Sequence, residues 1–179
     1  MTSSMKLLGG IVIVALLGGV GWFAKPPIGY NNDYAPDQPI PYSHALHAGK
    51  YQIPCQYCHS NVEKSKHATV PSLNVCMNCH LVIKGVGPNG GPSPWIERIS
   101  QAYDAGESVP WVKVHMLPDH AHFNHKRHVG AGVSCQECHG KMQETVVVKQ
   151  VQDLSMGWCI NCHRKPENNA PINCSTCHY

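Results

Sequence analysis

A chain of 179 residues with 14 Lys and Arg against 11 Asp and Glu carries a formal charge of only +3. So small a charge gives no support to nucleic-acid binding. Only 7% of its residues are aromatic, while 16 Gly, 14 Pro, 10 Cys and 13 His are spread along it, a composition that allows one domain, or one split in two halves, but not several independent apolar cores.

In chain order, residues 1–24 come first. Leu7–Ala24 is an uncharged, mostly apolar run of 18 residues. As a helix it measures about 27 Å, against a hydrocarbon core of about 30 Å. No small-x-small cleavage site precedes Lys25, so the run is expected to be a retained transmembrane anchor rather than a signal peptide. Lys6 marks its cytoplasmic end. Its small residues (Gly9, Gly10, Ala15, Gly18, Gly19, Gly21) include Ala15 and Gly19, a spacing that lets membrane helices touch. It holds no ionisable side chain that could bind a quinone. Residues 25–41, with Pro26, Pro27, Pro36, Pro39 and Pro41, read as an extended linker.

Residues 42–80 form a first unit: Tyr42-Ser43-His44-Ala45-Leu46-His47, then Cys55-Gln56-Tyr57-Cys58-His59 and Cys76-Met77-Asn78-Cys79-His80. Residues 81–122 connect it to a second unit and read mostly as loop. Within them Ser93-Pro94 is an N-cap and first-turn pair, and Ile96, Ile99 and Tyr103 at helical spacing predict a helix to about Ala105. Trp95, Tyr103 and Trp111 are expected to cover apolar surface. Residues 123–179 repeat the lead as Phe123-Asn124-His125-Lys126-Arg127-His128 and follow it with three motifs, at 135–139, 159–163 and 174–178. Short helices are predicted over Pro71–His80 and Ser155–His163, and an extended segment over Thr145–Val148.

The five motifs share the pattern C-x-x-C-H and use all ten cysteines. Random order of this composition would give roughly 0.04 such motifs per chain. The pattern is the attachment signature of c-type haem. Two thiols one helical turn apart add to the two vinyl groups, and the adjacent His turns to the iron. Zinc also uses C-x-x-C pairs but needs no His directly after each second Cys. The chain therefore reads as carrying five c-type haems, covalently held by Cys55, Cys58, Cys76, Cys79, Cys135, Cys138, Cys159, Cys162, Cys174 and Cys177. Proximal ligands are His59, His80, His139, His163 and His178. With roughly 30 residues per haem, the haems themselves must be the core. The expected fold is thus mainly α and irregular, loop-rich, with short helices around stacked haems and one N-terminal transmembrane helix. Ten propionates would shift the net charge to roughly −7 with all irons ferrous and −2 with all ferric. Haem is attached outside the cytoplasm, which places the motifs on the periplasmic or outer face of the inner (cytoplasmic) membrane.

Eight His remain after the proximal five. The aromatic-x-His-x-x-His lead before a C-x-x-C-H resembles the class III, c7-type multihaem cytochromes over His44–His80 and Phe123–His178. That resemblance implies His44 on the His59 haem, His47 on the His80 haem, His125 on the His139 haem and His128 on the His163 haem. The family's remaining ligand lies just before a later motif, where this chain reads Leu154-Ser155-Met156-Gly157-Trp158 and has no His. Met156 is the candidate for the His178 haem, with Met142 and His115 as rivals. His67, His120 and His122 stay unassigned.

The single anchor, the Tyr42–His47 lead, Val75–His80, Leu117-Pro118-Asp119-His120 and Met156-Gly157-Trp158-Cys159 together resemble the pentahaem cytochrome subunit of alternative complex III. The resemblance implies iron–sulfur and polytopic quinol-binding subunits as partners, and a monohaem cytochrome c, a copper protein or an oxidase as acceptor. The chain would be an electron-transfer subunit of a quinol-oxidising complex, with no catalytic residue of its own. Two alternatives stand beside it. One is a single-helix quinol dehydrogenase of the NapC and NrfH type, which needs an open haem near the membrane. The other is a multihaem reductase, whose family replaces one motif His by Lys; all five motifs here end in His.

Overall fold

The computed structural model describes the backbone of residues 3–23 and 31–179, and the side chains of 8–19 and 31–179. Helix α1, Ser3–Phe23, covers most of the apolar run, and its side chains from Leu8 to Gly18 are exposed. The side chains of Leu7 and of 20–24 in the expected anchor, and residues 25–30 of the linker, lie outside the described set. Among the described residues no helix is long and apolar enough to cross a membrane.

The rest is short helices joined by irregular chain, with no strand among the described residues. Ala45–Lys50 forms a π-helical turn. Helices α2 (Cys55–Cys58), α3 (Leu73–His80), α4 (Pro94–Asp104), α5 (His125–Gly130), α6 (Cys135–His139) and α7 (Met156–His163) follow, with 3-10 turns at Met142–Glu144, Pro166–Asn168 and Cys174–Thr176. Helices α3, α4 and α7 begin and end within two residues of the ranges read from the sequence. Ser155 caps α7 by accepting from Trp158 N at 3.1 Å. Gly106, at φ +70°, ends α4, and the Glu107 N–H reaches back to Ala102 O at 2.8 Å, closing the left-handed cap that glycine permits. Thr145–Val148 differs from expectation. The chain bends at Val146 and Val147, because the Thr145 carbonyl is taken by Ala45 N at 2.8 Å rather than by a neighbouring strand.

The connecting segment is mostly irregular chain, as expected, but its helix α4 also contributes to the core. Ile99 of α4 packs with Leu73 and Met77 of α3 and with Ile40, and Trp111 and Val109 close the cluster. Ile40 arrives because the linker is pinned. Gln38 exchanges two hydrogen bonds with the Val112 backbone, at 2.8 and 2.9 Å, and Arg98 donates to Pro39 O at 3.1 Å. A side-chain amide here supplies the donor and acceptor that a strand partner would supply. Gln150, fully buried, ties three segments together: its backbone pairs with Asp33 and Tyr34, and its side-chain oxygen accepts from Met116 N.

Segments 42–80 and 123–179 interlock reciprocally. The first lead docks on the turn that follows the third motif: Ala45 N donates to Thr145 O, and Gly49 lies so close to Gln143 O that no Cβ fits. The second lead docks on the turn that follows the first motif: His125 N and Lys126 N donate to Lys66 O and Ser65 O, both at 3.2 Å. Each half thus supports the other half's lead histidines.

Candidate haem sites

Each motif winds through a helix or 3-10 turn, so its two thiols lie one turn apart and its His follows at the helix end. None of the ten cysteines is in a disulfide. Four motif imidazoles share one arrangement: Nδ1–H donates to a backbone carbonyl. His59 uses Thr69 O at 2.7 Å, His80 uses Ile83 O at 2.8 Å, His163 uses Pro171 O at 2.7 Å and His178 uses His120 O at 2.7 Å. A ring that donates from Nδ1 keeps its lone pair on Nε2, the arrangement found behind metal-ligating histidines. The tautomers are assigned from these networks. His139 differs: its Nδ1 lies 3.3 Å from Nε2 of His115.

The two leads are built alike. Tyr42 meets His44 edge-on at 4.9 Å and stacks on His47 at 4.4 Å; Phe123 meets His125 edge-on at 4.8 Å and stacks on His128 at 4.4 Å. The aromatic ring is a splint between two imidazoles three residues apart. His47 and His128 each donate Nδ1–H to the carbonyl four residues back, Ser43 O and Asn124 O, at 2.9 Å. His125 donates to Lys66 O at 2.9 Å.

The splints hold the lead rings opposite the motif rings. His47 and His80 centroids are 6.2 Å apart, His125 and His139 6.4 Å, and His128 and His163 5.9 Å. Two metal–nitrogen bonds of about 2.0–2.1 Å, with a ring radius on each side, put facing imidazole centroids roughly 6 Å apart. The donor set therefore fits an iron between two imidazoles. Among the described residues, no three His, Cys, Asp or Glu converge as a zinc site needs. His44 is held neutral, near pKa 4, by burial first and then by His59 and His47 beside it. His139 is likewise pushed down to about 4 by burial, with His115, His125, His59 and His44 adding to it. Neutral imidazole is the ligating form. The buried Nδ1 of His44 has no protein partner.

Thiols of different motifs lie near one another. Burial raises the Cys58 thiol first, and Cys55 and Cys79 then add to it; Cys76 is raised by burial and by Cys58. Cys135 is raised by burial and by Cys55, to which it is hydrogen-bonded. Cys138 is pushed up to about 11 by burial, then by Cys162 and Cys159. Cys159 is raised by burial, then by Cys177. The motifs thus neighbour one another in the order second, first, third, fourth, fifth. The inversion follows from the interlock, which sets the first motif of each half side by side.

The fifth site is the least enclosed, with His178 and Tyr179 exposed. The His120 ring stacks 5.7 Å from His178, a spacing that by itself would suit a second iron ligand. The His120 carbonyl also receives the Nδ1 proton of His178 at 2.7 Å. His115 lies beside His139, its Nε2 3.3 Å from the Nδ1 of that ring. His122 stacks on Tyr179 at 4.4 Å and its N–H donates to Cys177 O at 2.8 Å; His67 is exposed. Met142 is half-buried in the 3-10 turn behind the third motif. Met156, 71% exposed, opens α7 one turn before Cys159, whose thiol neighbours Cys177. The carbonyl acceptors were not legible in the sequence, since any residue can offer a carbonyl.

Comparison with known proteins agrees with these sites. Residues 121–179, which hold three of the five motifs, match the family described as cytochrome c7 and related cytochrome c. The chain is also similar to the menaquinone reductase, multiheme cytochrome c subunit, of Nitratidesulfovibrio vulgaris (strain Hildenborough): 30% identical over 128 residues, covering 72% of this chain and 55% of that protein. The chain thus spans about half the length of the curated relative it matches. At the level these matches carry, the chain is a multihaem cytochrome c whose C-terminal third is of the c7-related type.

Proposed function

We propose that the chain is a membrane-anchored pentahaem cytochrome c that relays electrons between a quinone-linked, iron–sulfur-containing complex and a soluble acceptor on the periplasmic face. In the finer form it is the cytochrome subunit of alternative complex III, taking electrons from quinol oxidation. The observation that carries the relay is the pairing of imidazoles across three iron positions, His47 with His80, His125 with His139 and His128 with His163. Two strong-field ligands leave no coordination site for a substrate. Each haem supplies one-electron exchange between ferric and ferrous iron. The protein's own residues do the rest. Ten thiols would hold the groups, and His44, His47, His125 and His128 with His59, His80, His139 and His163, and Met156 with His178, would hold their irons. Tyr42 and Phe123 hold the lead rings at a fixed angle.

The anchor in this reading is Leu7–Ala24, and its small-residue face packs on other membrane helices. The two ends of the series, at Cys76–His80 and Cys174–His178, are where partners dock. The relative's name favours a second direction of flow, from a periplasmic donor to menaquinone. Mild detergent extraction followed by identification of co-purifying subunits tests the complex. Recovery with iron–sulfur and polytopic subunits supports it, and a stable, active, solitary cytochrome overturns it. Adding quinol to the isolated complex then separates the directions. Rapid haem reduction supports quinol oxidation, whereas haem oxidation by added quinone from the reduced state supports the second reading. Substantial carbon monoxide binding to the reduced protein would favour an open-haem dehydrogenase or a reductase instead.

A further inference from the structure

Four motif imidazoles donate Nδ1–H to a backbone carbonyl at 2.7–2.8 Å. The His139 imidazole alone meets a side chain there. Its Nδ1 lies 3.3 Å from His115 Nε2, with ring planes at 77° and centroids 4.4 Å apart. His115 did not come there by chance of a mobile side chain. Val112 is clamped by Gln38 on one side of it, Met116 N is bonded to the buried Gln150 on the other, and Val114 is itself buried. The segment therefore delivers the His115 ring to a fixed place. Nε2 is the His115 atom that faces His139 Nδ1, so it is the acceptor once the His139 ring keeps its own Nε2 lone pair for an iron.

We propose that His115 is a positioning residue for the third site: its Nε2 accepts the Nδ1 proton of His139, fixing the tautomer and the ring angle of that imidazole. The proposal rests on the haem reading above. A hydrogen bond at Nδ1 pushes electron density towards Nε2 and so favours the ferric state of a bound iron. The 3.3 Å contact is longer than the carbonyl contacts of the other four rings, so it pushes less. The third site is then the one whose motif ligand is least polarised, in the middle of the series.

The test uses the full chain, haem-loaded, as wild type, His115→Leu and His115→Gln. Intact mass comes first: fewer covalent haems than motifs in the wild type would overturn the parent reading, independently of His115. Redox titration and spin state then decide the proposal. His115→Leu, which leaves the His139 proton without an acceptor, should raise the midpoint potential of one component and leave the others in place. His115→Gln, whose amide oxygen can approach as the carbonyls do, should lower that same component below wild type. Both should stay low-spin. Unchanged potentials in either variant, or a shift of all components together, would overturn it. So would a new high-spin signal, which would make His115 an iron ligand. Should His115→Leu fail to accumulate, the direction of the single shift in His115→Gln still decides.

Discussion

A thioether is a softer and weaker donor than imidazole, so a Met/His iron sits at higher potential than a bis-His iron. If Met156 stands opposite His178, as proposed, the fifth site becomes the high-potential end of the series. Its exposed His178 and Tyr179 suit a docking partner. Met156→His should lower one midpoint potential and abolish the sulfur–iron charge-transfer band at the red end of the ferric spectrum. Met156→Leu should remove the same band and open that iron to carbon monoxide. If Met156→Leu leaves band and titration unchanged, the thioether is supplied elsewhere, and Met142 becomes the residue to replace. At this scale the sequence carried a great deal, because covalent attachment demands fixed spacing and the aromatic lead repeats. Met156 was visible only as a Met where a His was expected. His115 was read only as a rival ligand and His120 stayed unassigned, since at the Nδ1 of a motif ring a carbonyl from any residue serves as well as a side chain.

Elements in this protein are short because each is shaped by what it must present rather than by its own propensity. The π-helical turn Ala45–Lys50 crosses Met142–Glu144 at Gly49, whose backbone touches Gln143 O. A methyl group there forces the two turns apart and tilts the His44 and His47 rings off their splint. Gly49→Ala should therefore cost about 1–3 kcal/mol, as overpacking does. Gly91→Ala, with nothing within 4 Å of its Cβ position, should stay within about 0.5 kcal/mol. Denaturant melts of the haem-loaded protein compare them, and equal midpoints would show that the crossing is loose. Helix α4 was legible from its Ser93-Pro94 start and apolar spacing, and α3 and α7 from the attachment motifs at their ends. The pinning of residues 31–41 was not, since a Pro-rich stretch reads as linker until Gln38 and Ile40 are seen to find Val112 and the α3–α4 core. The interlock of the two leads was equally hidden, because it is made of backbone hydrogen bonds between segments far apart in sequence.

For the whole molecule, the scarcity of ordinary core sets the argument. Its buried apolar residues are Ile40, Leu73, Met77, Ile99 and Val114, four of them in the one cluster between α3 and α4. Segment 123–179 has none of them, so its order must come from the haems its motifs hold and from the interlock. Intact mass should accordingly show five covalent haems on a chain that keeps residues 7–24; four haems, or a mass beginning near Lys25, would each remove one part of that reading. The series of attachment sites makes a sharper demand. Cys135–His139 has neighbours on both sides: Cys55 stands against Cys135, and Cys159 and Cys162 stand against Cys138. Its turn also carries the carbonyl that holds Ala45. Cys174–His178 has a neighbour on one side only, through Cys177 and Cys159. Removing a group from the middle should therefore unseat both halves, whereas removing one from the end should cost the terminal turn alone. The double replacement Cys135→Ala with Cys138→Ala should leave little folded protein. Cys174→Ala with Cys177→Ala should yield a protease-resistant chain with four haems and the remaining bis-His spectrum intact. Equal yields and equal protease resistance of the two would mean that each haem folds its own stretch of chain, and that the order second, first, third, fourth, fifth has no structural consequence.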